Sequence, residues 1–209
     1  MGFLITFEGG EASGKTTQAK ALNRKLIKLG HKTVLTKEPG GTRAGNTIRH
    51  MVKFSKTPVS SSTELLLFLA ARAQLMHDVI QPSLNEGKIV ICDRFTDSTL
   101  AYQGYGRGID LAYIAKLNES VTNHINPDLT ILLDVPLDEA RKRLSSRVAD
   151  RIEVSLEVDV KAGSFHSKVR DGYLILAKND PGRWLVLNGL LPRAKLGSEI
   201  LRNVENLIL

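Results

Sequence analysis

Eight residues near the start of the chain restrict its fold more than any others. Gly9-Gly-Glu-Ala-Ser-Gly14-Lys15-Thr16 fits the spacing G-x-x-x-x-G-K-[ST]. It directly follows the apolar run Phe3–Phe7 and opens the helical pattern Lys15–Leu29, which Gly30 would stop. Gly9 and Gly14 permit backbone conformations that turn successive N–H groups toward one anion. The helix start adds partial positive charge at the same point. Gly9, Gly10, Glu11, Ala12, Ser13, Gly14, Lys15, Thr16 and Thr17 are therefore candidates for holding ATP. In that role Lys15 reaches the β- and γ-phosphates and the Thr16 hydroxyl ligates Mg2+.

The rest of the chain suits such a loop. Short β-branched and aliphatic runs at Phe3–Phe7, Thr33–Thr36, Lys88–Cys92, Leu129–Val135 and Trp184–Leu187 read as strands. Helical patterns lie between and after them, at Lys15–Leu29, Thr42–Phe54, Thr63–Leu84, Leu111–His124, Leu137–Leu144, Phe165–Lys178 and Lys195–Leu209. This alternation predicts an α/β fold, a five-stranded parallel sheet with helices on both faces. Ligands then sit at the C-terminal ends of the strands. From Ser145 to Ser164 the apolar periodicity fades and charges alternate in sign. We expect one domain over residues 1–209 with residues 145–164 as an inserted flap.

Charge and composition exclude several classes. The excess of 29 basic over 22 acidic residues gives +7, which suits anionic partners without choosing among them. The basic residues are dispersed and only 5% of residues are aromatic, a poor basis for a groove that stacks single-stranded nucleic acid. The longest apolar run, Leu65–Ala71, falls far short of the ~20 residues that cross a bilayer. The lone Cys92 allows neither a disulfide framework nor a cysteine-based zinc site, and the five histidines have no metal spacing. A cytoplasmic enzyme without a membrane or nucleic-acid partner is the expectation.

The third strand ends Val90-Ile91-Cys92-Asp93-Arg94-Phe95. An aspartate there, beside the loop, suits a second Mg2+-organising oxygen, and Arg94 suits an anion clamp. With these residues the chain resembles the bacterial thymidylate kinase family, P-loop enzymes that phosphorylate dTMP with ATP. The matching stretches are Phe7–Gln18, Lys37-Glu-Pro-Gly-Gly-Thr42, Phe68-Leu-Ala-Ala-Arg72-Ala-Gln74, Asp93–Gly108, Pro127–Val135 and Asp150-Arg-Ile-Glu153, in family order.

The resemblance implies a residue set. Lys15, Arg94 and Arg151 act on the transferred phosphoryl group, and Thr16 and Asp93 organise the metal. Glu11, Glu38, Arg49, Phe68, Arg72, Arg94, Thr99, Tyr102 and Gln103 hold dTMP. In this reading Phe68 stacks on thymine and Arg72, one helical turn on, bonds a base carbonyl. Arg49 holds the acceptor phosphate, Thr99 contacts the thymine edge and Gln103 assists. Tyr102 crowds the sugar 2′ position, and Glu11 accepts from the 3′-hydroxyl. Arg151, on the flap or lid, supplies the catalytic arginine that the loop lacks, with Arg147 as a possible helper. A homodimer is also implied.

The chain departs from the family pattern at Ala12, commonly Gly; at Lys37, usually Arg; at Val154–Val160, where the lid is longer than usual; and at Asn188-Gly189, usually Asp-Ala. Three alternatives stand at this point: another P-loop nucleotide or nucleoside kinase, a nucleic-acid-binding ATPase, and a homologue that has lost activity because of its odd lid.

Overall fold

All five apolar runs become strands. The computed structural model describes residues 2–54, 57, 59–150 and 163–208, with backbone alone at 147–150 and 163. β1 (Phe3–Glu8), β2 (Thr33–Lys37), β3 (Ile89–Asp93), β4 (Leu129–Asp134) and β5 (Trp184–Asn188) form one parallel sheet in the order β2-β3-β1-β4-β5. Side chains alternate across a strand, so β1 serves two layers. Ile5 and Phe7 are fully buried against Ala19, Leu22 and Leu26 of α1 (Lys15–Lys28) and against Leu196, Ile200 and Val204 of α9 (Arg193–Ile208). Each such burial contributes roughly 1.5–3 kcal/mol. Leu4 faces the opposite layer, with Leu75, Met76 and Ile80. Thr6 and Glu8 share that face, so the strand turns an acid into the interior.

β1, β2, β3 and β5 each run one residue past the expected end, to Glu8, Lys37, Asp93 and Asn188, while β4 stops at Asp134. Hydrophobicity ends with the last apolar residue, but the ladder does not. Phe7 pairs with Asp93, and Lys37 pairs with Asp93 from the other side. The polar residues that finish the strands are thereby set in register beside one another.

α2 (Arg43–Phe54) and α6 (Leu111–Thr122) match expectation closely. The pattern Thr63–Leu84 is not one uniform helix. It is α3 (Ser61–Leu75), a π-helical stretch Met76–Ile80, and α4 (Gln81–Asn85). Pro82, in the first turn of α4, cannot donate to the preceding turn, and the helix widens there instead of breaking. A second helical segment is unexpected: α5 (Thr96–Thr99) continuing through a π-helical stretch Leu100–Gly106. Its inward face is polar, with Thr96, Asp97, Thr99 and Gln103 buried, so no apolar period announces it. α7 (Leu137–Asp150) extends past the expected Leu144, and α8 (Gly163–Asn179) begins at the far edge of the expected flap.

Candidate active site

The loop after β1 takes the conformation its glycines allow. Gly9 has φ 134°, and a Cβ there would lie 2.6 Å from the Leu133 carbonyl oxygen; Gly14 has φ 101°. Gly14 caps α1 without a side-chain bond, and the first turn of α1 carries no acidic residue. The first amides of α1 are thus left for an anion, not for a protein cap. Lys15 curls back into the loop, donating to the carbonyls of Gly9 (2.9 Å) and Gly10 (2.7 Å) and to Ser13 Oγ (3.3 Å). Burial, reinforced by Arg94, lowers its ammonium to about 8. Ala12, where glycine is usual, sits at φ 54°, a left-handed conformation costing an L-residue roughly 1–2 kcal/mol.

The ends of β1, β2 and β3 are bonded together. Arg94 N donates to Phe7 O and Glu38 N to Asp93 O, each at 3.0 Å. Asp93 therefore lies beside the loop, where its Oδ2 accepts from the Thr16 hydroxyl. A carboxylate and a hydroxyl in contact are two hard oxygen donors, which fit a Mg2+ ion taking its other ligands from phosphate and water. Among the described residues no cluster of three His, Cys, Asp or Glu side chains offers an alternative metal site. A cavity of about 280 Å3 opens against this pair, lined also by Lys20, Leu35 and Lys37.

Arg94 follows at φ 75°, and this turn aims its guanidinium back over the loop. It donates to Glu11 Oε1 (2.8 Å), Tyr102 Oη (3.0 Å), Ser98 Oγ (3.2 Å) and Tyr173 Oη (3.2 Å). Its guanidinium carbon also lies 4.8 Å from the Tyr102 ring centroid. Burial raises the Glu11 carboxyl, but Arg94, Lys15 and lesser charges outweigh it and hold the group at about 2. Glu11 thus stays ionised and balances the loop cations. Beneath Arg94, Glu8 is fully buried, and burial and the Asp97 carboxylate push it up to about 7.

A second cluster forms on α3. Arg72, 2% exposed, donates from Nε to Glu38 Oε2 (2.8 Å), from Nη1 to Asn118 Oδ1 (2.6 Å) and from Nη2 to Phe95 O (3.0 Å). Burial raises the Glu38 carboxyl more than Arg72 lowers it, and its Oε1 has no hydrogen-bond partner among the described residues. Phe68, one turn before Arg72, is half-buried and belongs to none of the four core clusters. Its ring is therefore not simply core. Arg49 reaches the same corner, donating to Pro39 O at 3.3 Å.

The structure groups Lys15, Thr16, Asp93, Arg94, Glu11 and Tyr102 around the loop, and Glu38, Arg72 and Arg49 around the end of β2. The Phe95 carbonyl joins the two groups. Thr99 is buried, and Gln103 Nε2 is engaged by Glu64 Oε1 at 2.7 Å. Arg151, and the side chain of Arg147, lie outside the described residues. Sequence reasoning missed Glu8, Ser98, Asn118 and Tyr173. Glu8 had one visible signal, an acid ending an otherwise apolar strand; Asn118 and Tyr173 had none, being ordinary residues within helices.

Comparison with known proteins agrees with this geometry. The family model described as thymidylate kinase matches residues 7–200. The thymidylate kinase of Dehalococcoides mccartyi strain CBDB1 is 46% identical over 209 residues, covering 100% of this chain and 98% of that one. That of Geotalea daltonii is 47% identical over 192 residues, 90% of each chain. A crystal structure of thymidylate kinase from Ehrlichia chaffeensis superposes with a TM-score of 0.78 at 36% identity, covering 97% of this chain and 98% of that one. On the profile match and on full-length identity alike, the chain belongs to the thymidylate kinase family.

Proposed function

We propose that this enzyme transfers the γ-phosphoryl group of ATP to dTMP, giving ADP and dTDP, through the residues assembled here. The observation that carries the assignment of roles is Arg94, which lies over the phosphate loop and is bonded to Glu11 and Tyr102. In that position one guanidinium can contact both nucleotides' phosphates. A phosphate oxygen of dTMP attacks the γ-phosphorus in line. The bond to the β–γ bridging oxygen breaks, and ADP leaves with that electron pair. The attacking oxygen is already anionic, so no side-chain base is needed. Catalysis rests on positioning and on cancelling charge between two polyanions.

Lys15 leaves the loop carbonyls for the β/γ-phosphates when ATP arrives. Thr16 and Asp93 would hold Mg2+, which would supply charge neutralisation to the phosphates. Arg49 holds the acceptor phosphate, Phe68 stacks on the base, and Arg72 donates to a base carbonyl with Glu38 behind it. Thr99 lines the base edge, and Gln103 fastens that segment to α3. Tyr102 excludes a 2′-hydroxyl by bulk, and Glu11 turns from Arg94 to the sugar 3′-hydroxyl. Arg151, carried by residues 145–164, supplies a further cation to the transition state.

Exposed Met51 and Phe54 on α2 and Leu66 on the adjoining α3 support a homodimer through this face. No helix among the described residues is long and apolar enough to cross a membrane, which accords with a cytoplasmic enzyme. The test is a coupled ADP-release assay with dTMP, dUMP, CMP or thymidine as acceptor, with and without Mg2+. Turnover is expected only with Mg2+ and chiefly with dTMP. Turnover independent of acceptor, with steeply salt-dependent DNA or RNA binding, would support the ATPase alternative instead.

A further inference from the structure

Three donors converge on one buried carboxylate that phosphoryl transfer itself does not use. Glu8 Oε1 accepts from Phe95 N at 2.8 Å. Its Oε2 accepts from Ser98 Oγ at 2.6 Å and from Tyr173 Oη at 2.8 Å. Those two hydroxyls are the ones that Arg94 Nη1 touches, at 3.2 Å each. They come from different elements: Ser98 from α5, and Tyr173 from α8, the helix that follows residues 151–162.

We propose that Glu8 is a positioning residue for phosphoryl transfer, holding the Arg94 guanidinium in place through the Ser98 and Tyr173 hydroxyls and so tying Arg94 to α8.

The proton count supports this. Each hydroxyl has a single proton, which goes to the Glu8 carboxylate directly or, across 2.8 Å, to the other hydroxyl bonded to it. Their lone pairs are then left facing Arg94, whose Nη1 has two N–H groups to give. The ionised carboxylate, which prevails above its raised value of about 7, enforces this direction because it accepts and never donates. With an amide in its place, an NH2 group would face either the Phe95 N–H or the two hydroxyls. In the second case the hydroxyl protons lose their acceptor and are free to turn toward Arg94, donor against donor. Arg94 is sensitive to such a loss because its backbone already sits at φ 75° and its other Nη contacts, Glu11 and Tyr102, belong to the substrate side. The Glu8 contacts are the ones that lie beneath it. This inference rests on Arg94 being the phosphate clamp described above.

The test compares Glu8→Gln, Tyr173→Phe, their double variant, and each of them in an Arg94→Ala background. Circular dichroism and ATP affinity check the fold. Glu8→Gln is expected to lose at least about tenfold in kcat, with KM for dTMP and ATP within about threefold, the pattern of an interaction needed in the transition state. Tyr173→Phe keeps its buried ring and should lose kcat in the same way but less. The double variant should be no worse than Glu8→Gln by more than about twofold, because both act through one guanidinium. In the Arg94→Ala background neither substitution should matter further. Wild-type kcat in folded Glu8→Gln and folded Tyr173→Phe alike overturns the proposal, as do undiminished losses once Arg94 is gone. If Glu8→Gln does not fold, Tyr173→Phe decides by the same criteria. A damaging Arg94→Ala beside harmless Glu8 and Tyr173 variants removes this inference alone, whereas a harmless Arg94→Ala removes the clamp as well.

Discussion

Arg72→Ala tests whether the arginine proposed to read the base is also a structural pin. The side chain is 2% exposed and bonded to Glu38, Asn118 and the Phe95 carbonyl. Removing it strands the Glu38 carboxyl, which burial already pushes up and whose Oε1 has no hydrogen-bond partner among the described residues. Breaking a buried pair from one side typically costs about 3–5 kcal/mol. The structure indicates how that cost divides. Without Arg72, the group that lowers it, the carboxyl moves further up, and the rise costs stability at pH values above its ordinary 4.5. Lost hydrogen bonds to Asn118 and Phe95 supply the remainder, about 1 kcal/mol each. The sign of the pH dependence follows. A folded state that binds the extra proton loses stability as pH rises above 4.5 until the raised pKa is passed. Because the Glu38 carboxyl is already raised in the parent and rises further without Arg72, the gap between variant and parent should be smaller at pH 5 than at pH 7.

Urea unfolding of both proteins at the two pH values, with unchanged m, measures this directly. At pH 7 the loss corresponds to a fall in Tm of about 6–20 °C. Arg72→Met with Glu38→Leu should restore most of the stability and still fail to bind dTMP, since no buried charge is then left unpaired. A loss below about 1 kcal/mol, or one equal at pH 5 and pH 7, would refute the reasoning by showing that Glu38 is not left as an uncompensated buried charge.

Other substitutions separate catalysis from folding. Lys15→Ala should abolish phosphoryl transfer with its melting temperature nearly unchanged; near-normal turnover in a folded variant defeats the loop assignment. Phe68→Ala should weaken dTMP binding by roughly 1–3 kcal/mol and leave ATP binding intact, as calorimetry with each nucleotide will show. Equal weakening of both, alongside a large stability loss, would make the ring plain core. Competition between dTMP and its ribonucleotide should show discrimination reduced in Tyr102→Ala and largely kept in Tyr102→Phe, and an unchanged ratio in the alanine variant removes Tyr102 from the sugar site. Arg151→Ala should lose at least about tenfold in kcat with dTMP affinity kept, more than Arg147→Ala loses; the reverse order would shift the lid register by a turn.

What the chain states locally, the sequence determines by itself. Eight contiguous residues carry the phosphate loop, because its chemistry needs only a strand, two glycines and a helix start in succession. The strands are legible because each is a short apolar run, and Phe68 and Arg72 are legible as a pair because one helical turn separates them. The site's supports are not local. Glu8 and Tyr173 lie 165 residues apart, and Arg72 and Asn118 lie 46 apart. No periodicity links such pairs. The segment Thr96–Gly106 hid its helix because the face it buries is polar. Only the tertiary structure decides which buried polar groups meet, since each must find a partner inside the fold and the order β2-β3-β1-β4-β5 sets which ones are within reach. Strand parity then turns Glu8 inward beneath Arg94, while Phe7 beside it faces the other layer.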